Sequence, residues 1–372
     1  MIKNSNSGQN ELSIVEDNNL SKLYSYLPSP SIYLSKDEQL KNIYSFVKEK
    51  SRSNLNKFVY EIKSNRNEFI SFLGAGISNP LGIPLWDKLI NEMNKYFGVN
   101  KKNLEIDIPS QMENIYLQCQ EKNQKDEYYS FIKNKLKATT ITSSSLFVNL
   151  IICFRQHITL NLDTSLEDAY KFLSRISKYI GGNLILEIPE VHILPNLKLI
   201  TADKVKPKIY HLHGEINNKN SWVMRTPEYE LYYGSFLKKT IRKDNSIKTF
   251  LTECYKNSHM IIVGVSFKDE YIKKIIEEIA REEELANIER LNIYGQQNNN
   301  QTYHFLIIPF SEKEFLIKND QNTIEYEASY NKVEDYLNKL EKMKIYPIFF
   351  NEDEYVFIEE LFENSISSNN NL

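Results

Sequence analysis

The sequence predicts an α/β fold, a mostly parallel sheet with helices on both faces, and three observations carry that prediction. Short apolar runs read as buried strands at Phe69–Leu73, His157–Leu160, Leu184–Ile188, Ile209–Leu212, Met260–Val265, Tyr303–Ile308 and Ile345–Phe349. Between the later runs, apolar residues recur at helical spacing over Ile247–Tyr255, Glu270–Arg281, Asn331–Met343 and Val356–Ile366. Strands alternating with helices in this way build parallel sheets buried on both faces. Finally, the polar and glycine-rich stretches that look chemical fall at the C-terminal ends of strands, where doubly wound sheets bind their ligands.

Taken in order, residues 1–28 are polar and read as a disordered or loosely attached segment, running into the Pro-rich Leu27-Pro28-Ser29-Pro30-Ser31. Residues 29–67 form an N-terminal helical segment, with Leu40, Ile43, Tyr44, Phe46 and Val47 as its apolar face. One large domain follows over 68–366, and its first strand leads to a helix marked by Trp86, Leu89, Ile90, Met93 and Phe97. Residues 103–148 are a strand-free helical insertion, and 367–372 a frayed tail. The aromatic residues Tyr44, Phe46, Tyr128, Tyr129 and Phe131 fit either an oligomer interface or packing against the chain's own sheet.

A net charge of -3 with mixed signs gives no electrostatic footprint for nucleic acid, and no direct nucleic-acid binding is predicted. The N-terminal residues lack the apolar core of a signal peptide, and no apolar run approaches the roughly 18–20 residues of a membrane span, so a cytoplasmic protein with no membrane contact is expected. The three cysteines, Cys119, Cys153 and Cys254, form no Cys-x-x-Cys pair and cannot supply a four-thiolate zinc site. They read as small buried hydrophobes, and no metal is predicted.

The chemistry centres on four short motifs. Gly74-Ala75-Gly76-Ile77-Ser78 joins the first strand to the following helix, and such a turn offers backbone N–H groups to a phosphate. Asn79 stands where the dinucleotide fingerprint needs a third glycine. The other three are Thr159-Leu160-Asn161-Leu162-Asp163, His213-Gly214 and Gly264-Val265-Ser266-Phe267. Asn161 can position a sugar hydroxyl or a water without adding charge, and His213 can accept a proton near neutral pH. Asp163 suits a sugar hydroxyl or the orientation of Asn161. His211, His157, His192, His259 and His304 read as structural.

In this order the motifs resemble the signatures of the sirtuin superfamily, and more closely those of its bacterial sirtuin-like defence branch, over roughly residues 68–350. The resemblance implies a Rossmann-like sheet, with NAD as substrate and no metal. It implies catalysis by Asn161 and His213, and NAD contacts from Gly74, Ala75, Gly76, Ile77, Ser78, Asp163, Gly264, Ser266 and Phe267. The chain departs from protein-deacylating sirtuins at Leu160, where they carry a polar residue, and in lacking the zinc cysteines. These departures favour water as acceptor, hence an NAD hydrolase releasing nicotinamide and ADP-ribose. In the defence branch that activity depletes cellular NAD during phage infection, an abortive response. Its control implies a homo-oligomer or a separately encoded partner, such as a HerA-like ATPase. A module that binds NAD or ADP-ribose without cleaving it, a deacylase or ADP-ribosyltransferase, and a nuclease subunit are the alternatives.

Overall fold

The computed structural model describes residues 18–30, 37–99, 107–137, 145–180, 187–197, 206–234, 246–265, 269–294, 301–320, 323–352 and 354–367. Two helices open the described chain, α1 (Asn18–Ser25) and α2 (Glu38–Asn65), and strand β1 (Phe69–Leu73) follows. Next come α3 (Trp86–Phe97), α4 (Ile108–Glu121), α5 (Lys125–Lys135), α6 (Ser145–Cys153), β2 (Gln156–Thr159) and α7 (Ser165–Ile180). The middle of the chain holds β3 (Glu190–Ile193), β4 (Lys208–His211), α8 (Thr226–Tyr232), α9 (Ser246–Asn257) and β5 (His259–Val263). The last elements are α10 (Glu270–Tyr294), β6 (His304–Phe310), α11 (Glu312–Phe315), α12 (Tyr326–Lys342), β7 (Ile345–Asn351) and α13 (Val356–Ser367).

The strands form one sheet in the order β3-β4-β2-β1-β5-β6-β7, with every pairing parallel. Strands step outward from β1 through β2 to β4, and the chain then returns to place β5 on the other side of β1. That reversal makes the C-terminal end of β1 the switch point of a doubly wound, Rossmann-like sheet. Successive residues of each strand feed opposite faces. Ile70, Phe72, Met260, Ile262, Leu306 and Phe349 join one apolar cluster with α8, α9, α10 and α12. Phe69, Leu73, Ile261, Val263, Phe305 and Phe350 join a second, with α1, α6, α7 and α13. Burial on both faces explains why these strands read as unbroken apolar runs.

Helix α2 starts where the Asp37 carboxylate accepts from Gln39 N at 2.9 Å and Leu40 N at 3.3 Å, an N-cap. Its first half gives Leu40, Ile43, Tyr44 and Val47 to one cluster, and its second half gives Leu55, Phe58 and Ile62 to the other. The helix therefore crosses over the edge strand β7. There Phe349 N donates to Ser51 Oγ at 3.1 Å and Asn54 Nδ2 donates to the Pro347 carbonyl at 2.7 Å, so the rim is capped by side chains.

Two expectations need correction, a third lies largely outside the described residues, and of the two alternatives for the aromatic residues one is observed. Part of the segment expected to be loose is docked, since α1 buries Leu23 and Leu27 is buried beyond it; residues 1–17 lie outside the described residues. The strand expected at Leu184–Ile188 lies largely outside them too, and the edge strand observed is β3, whose polar and apolar residues alternate and leave it part-exposed. The insertion expected over 103–148 divides: α4 and α5 form a lobe with α3, whereas α6 packs on the sheet with the second cluster. The aromatic residues weighed as an interface pack on the chain itself, Tyr44 and Tyr128 buried, Phe46, Tyr129 and Phe131 half-buried. The α3–α5 lobe closes on Leu162, Ile216, Trp222 and Met224, which sets it over the loops that leave β2 and β4.

Candidate functional site

Adjacent strands β4, β2, β1 and β5 lead, in that order, into His213, Asn161, Gly74 and Gly264, one or two residues past their ends. Thr159 is in register with His211, so Asn161 and His213 leave neighbouring strand ends two residues later. Ser266 and Phe267 lie outside the described residues.

The loops after β1 and β5 are interlocked. Gly74 N donates to Val263 O at 2.9 Å and Gly76 N to Gly264 O at 3.0 Å, while Ile77 N returns to Gly74 O at 3.1 Å and Ser78 N to Ala75 O at 3.2 Å. A Cβ on Gly76 would lie 2.8 Å from Gly264 Cα, and Gly264 itself sits at φ +70°. The glycines are thus required by close backbone contact and, at Gly264, by left-handed conformation. This corrects the expected phosphate cradle, because four of the turn's N–H groups are already donated internally. Nor does the turn open α3 directly: two 3₁₀ turns, Ala75–Ile77 and Asn79–Leu81, intervene before Trp86.

Asn161 is held on every side. Its backbone N donates to Thr159 Oγ1 at 3.0 Å. Its Nδ2 donates to Gly74 O at 3.1 Å and to Ser78 Oγ at 3.0 Å. A carbonyl can only accept, so the amide orientation is fixed, and both amide hydrogens are used within the protein. What Asn161 can offer a ligand is its Oδ1, an acceptor. Ser78 in turn hydrogen-bonds Asp163, whose Oδ1 accepts from Ser165 N at 3.1 Å at the start of α7. Burial raises the Asp163 carboxyl, opposed by the Ser165 and Ser78 hydrogen bonds. Asp163 and Ser78 therefore orient Asn161, one of the two roles expected for Asp163.

His213 is 3% exposed and stands in a box of tyrosines. Its Nε2 lies 2.8 Å from Tyr233 Oη and 3.8 Å from Asp269 Oδ2, and its ring meets Tyr229 edge-on at 5.4 Å. Tyr229 Oη donates to Asp269 Oδ2 at 2.8 Å. Burial lowers the His213 pKa below its usual value, and the Asp269 charge opposes that shift, so the ring is neutral near pH 7. Asp269 also caps α10, its Oδ1 accepting from Tyr271 N at 3.0 Å and Ile272 N at 3.1 Å. An aspartate immediately before an apolar-periodic helix is a readable capping signal, though nothing local links it to His213. Tyr229 and Tyr233, on and just after the short α8, have no such signal.

Beneath these groups His211 Nε2 lies 2.6 Å from Glu167 Oε1, and His211 Nδ1 lies 3.0 Å from Asn161 O. His157 is structural as expected, held between Ser71 Oγ at 2.7 Å and Tyr170 Oη at 2.9 Å in the sheet. Among the described residues no group of three or more His, Cys, Asp or Glu side chains stands where it could hold a metal ion. No helix among them is long and apolar enough to cross a membrane. Cys119, Cys153 and Cys254 are buried free thiols, and burial pushes Cys153 up to about 12.

A family model described as the SIR2-like domain matches residues 155–334. Those residues carry a SIR2-like domain. The match takes in Asn161, Asp163, His213 and Gly264 and leaves out β1 with its glycine turn, which the sheet nonetheless places beside them. No curated protein matches the chain. SIR2-like domains use an NAD-binding fold, and the parallel sheet with its switch point at β1 agrees with that.

Proposed function

We propose that the protein is an NAD+ hydrolase that releases nicotinamide and ADP-ribose. The observation that carries this reading is the side-by-side placement of Asn161 and His213 on adjacent strand ends at the switch point, inside the SIR2-like domain. Asn161 Oδ1 accepts a hydrogen bond from a ribose hydroxyl or from the attacking water. The bond between ribose carbon and nicotinamide nitrogen breaks through an oxocarbenium-like transition state, and the pyridine nitrogen keeps the electron pair. Water oxygen bonds to the same carbon, and its proton passes to neutral His213. Asp269 favours the imidazolium that results. In cells the activity depletes NAD during phage infection. Control by self-assembly or by a separately encoded HerA-like ATPase belongs to the same proposal.

The test is nicotinamide release from NAD+ by the wild-type protein beside Asn161→Ala and His213→Ala, each checked for folding. Loss of general-base help is expected to slow release about 10²–10⁴-fold. Wild-type rates in both variants would overturn the reading. Infecting cells that carry the wild type or His213→Ala, and following NAD, tests the defence role.

A second reading is favoured by one observation: His213 Nε2 already faces the Tyr233 hydroxyl in a buried setting. A module that holds NAD or ADP-ribose without cleaving it would keep that contact. Tyr233→Phe separates the two, because removing the hydroxyl raises release from a restrained enzyme and leaves a binding module silent. Saturable NAD binding unchanged by His213→Ala, with no nicotinamide released even with an added partner, would favour the module.

A further inference from the structure

We propose that the buried His211–Glu167 pair is a positioning element that fixes the Asn161 amide relative to His213. The proposal rests on the reading of Asn161 and His213 as the reacting pair. His211 is fully buried, and the Glu167 side chain is 9% exposed. Asn161 O can only accept, so His211 Nδ1 carries a proton and donates it across the 3.0 Å contact. One proton lies between Nε2 and Glu167 Oε1, 2.6 Å apart; whichever group holds it, the pair is neutral overall and the Nδ1–H bond survives. Burial alone would lower the His211 pKa, but the Glu167 hydrogen bond and charge outweigh it, with help from the Asn161 carbonyl and Asp163. Glu167 Oε2 has no hydrogen-bond partner among the described residues, so the carboxylate is aimed through Oε1 alone.

The contacts close into a ring. Asn161 Nδ2 reaches Ser78, Ser78 reaches Asp163, and Asp163 accepts from Ser165 at the start of α7. Two residues along α7, Glu167 reaches His211, which returns to the Asn161 carbonyl. His211 is the last residue of β4, and His213 follows it through Leu212 alone. The residue that tethers Asn161 therefore rides on the same segment as His213. A ring of this kind sets the spacing of two groups on different strands, and a misplacement of about 1 Å can cost about 10²-fold in rate.

The experiment compares Glu167→Ala and Glu167→Gln in the full chain. Glu167→Ala frees the imidazole and is expected to lower kcat about 10²-fold, with KM for NAD+ within about 3-fold. In Glu167→Gln the amide donates to a neutral His211 Nε2 and leaves Nδ1–H on Asn161, so kcat recovers to within about 5-fold of wild type. A folded Glu167→Ala with wild-type kcat overturns the proposal, as does a Gln variant no better than Ala. The side-chain amide resonance of Asn161, labelled with ¹⁵N and assigned through Asn161→Asp, gives a second reading that needs no turnover. Broadening or shift in Glu167→Ala, reversed in Glu167→Gln, upholds positioning even if wild type releases no nicotinamide and the hydrolase reading falls. An unchanged resonance overturns positioning.

Discussion

A methyl group on Gly74 would sit 2.4 Å from the carbonyl oxygen of Gly264, closer than real Cβ atoms come to backbone. The loops after β1 and β5 are therefore in direct backbone contact, and Gly74→Ala must push them apart. We expect a loss of at least about 1–3 kcal/mol, the usual cost of overpacking, read by chemical denaturation. Gly98→Ala is the control. Gly98 ends α3 at φ +63° with nothing within 4 Å of its would-be Cβ, so only the left-handed penalty of about 1–2 kcal/mol applies there.

Ser51 gives a second stability prediction. Its hydroxyl donates to Val47 O at 2.7 Å and accepts from Phe349 N at the β7 rim. Ser51→Ala leaves that buried N–H without a partner and should cost about 1–3 kcal/mol. Hydrogen exchange at Phe349 should quicken in parallel; unchanged protection there would show that another acceptor takes over.

Asp269→Asn isolates charge from structure. Asparagine caps helices as well as aspartate does, its Oδ1 keeping the cap while its Nδ2 donates to the Tyr229 hydroxyl, so α10 should keep its stability. What disappears is the charge that holds the His213 pKa up against burial. The acid limb of the pH–rate profile should therefore move to lower pH, and an unmoved limb would mean that His213 is not the group it reports.

Folding stability should fall on mild acidification. His157, His213 and His304 are buried with pKa values below the ordinary 6.5, His157 at about 3, chiefly because burial disfavours the charged ring. Their contribution is fully present above pH 6.5 and is lost as pH falls through the window down to each folded pKa. For His157 the loss approaches about 1.4 kcal/mol per pH unit between 6.5 and 5. His211 has the opposite sign: its pKa is raised, so its contribution is full below 6.5 and fades as pH rises. Denaturant melts at pH 7 and pH 5 measure the balance, and equal midpoints would contradict it.

Most of the sheet is legible in the sequence because its strands are buried on both faces and read as unbroken apolar runs. β3 is not, since its Glu-Val-His-Ile pattern belongs to a part-exposed rim. The strand-end residues Asn161, His213 and Gly264 are legible through their motifs. What they touch is not. His211 reads as structural because its meaning lies with Glu167, 44 residues away, and Asp269 reads as a cap because its second oxygen faces another element. The glycine turn suggests a phosphate cradle by composition, whereas four of its N–H groups are spent on Val263, on Gly264 and on the turn itself.

Helix α2 and the strand it covers are far apart in the chain: Ser51 meets Phe349 across 298 residues. A ribosome delivers the cover first and the covered strand last. At about 5–20 residues per second, α2 waits on the order of 15–60 s for the strand it covers. A chain stopped short of β7 leaves Ser51 and Asn54 without the rim they cap.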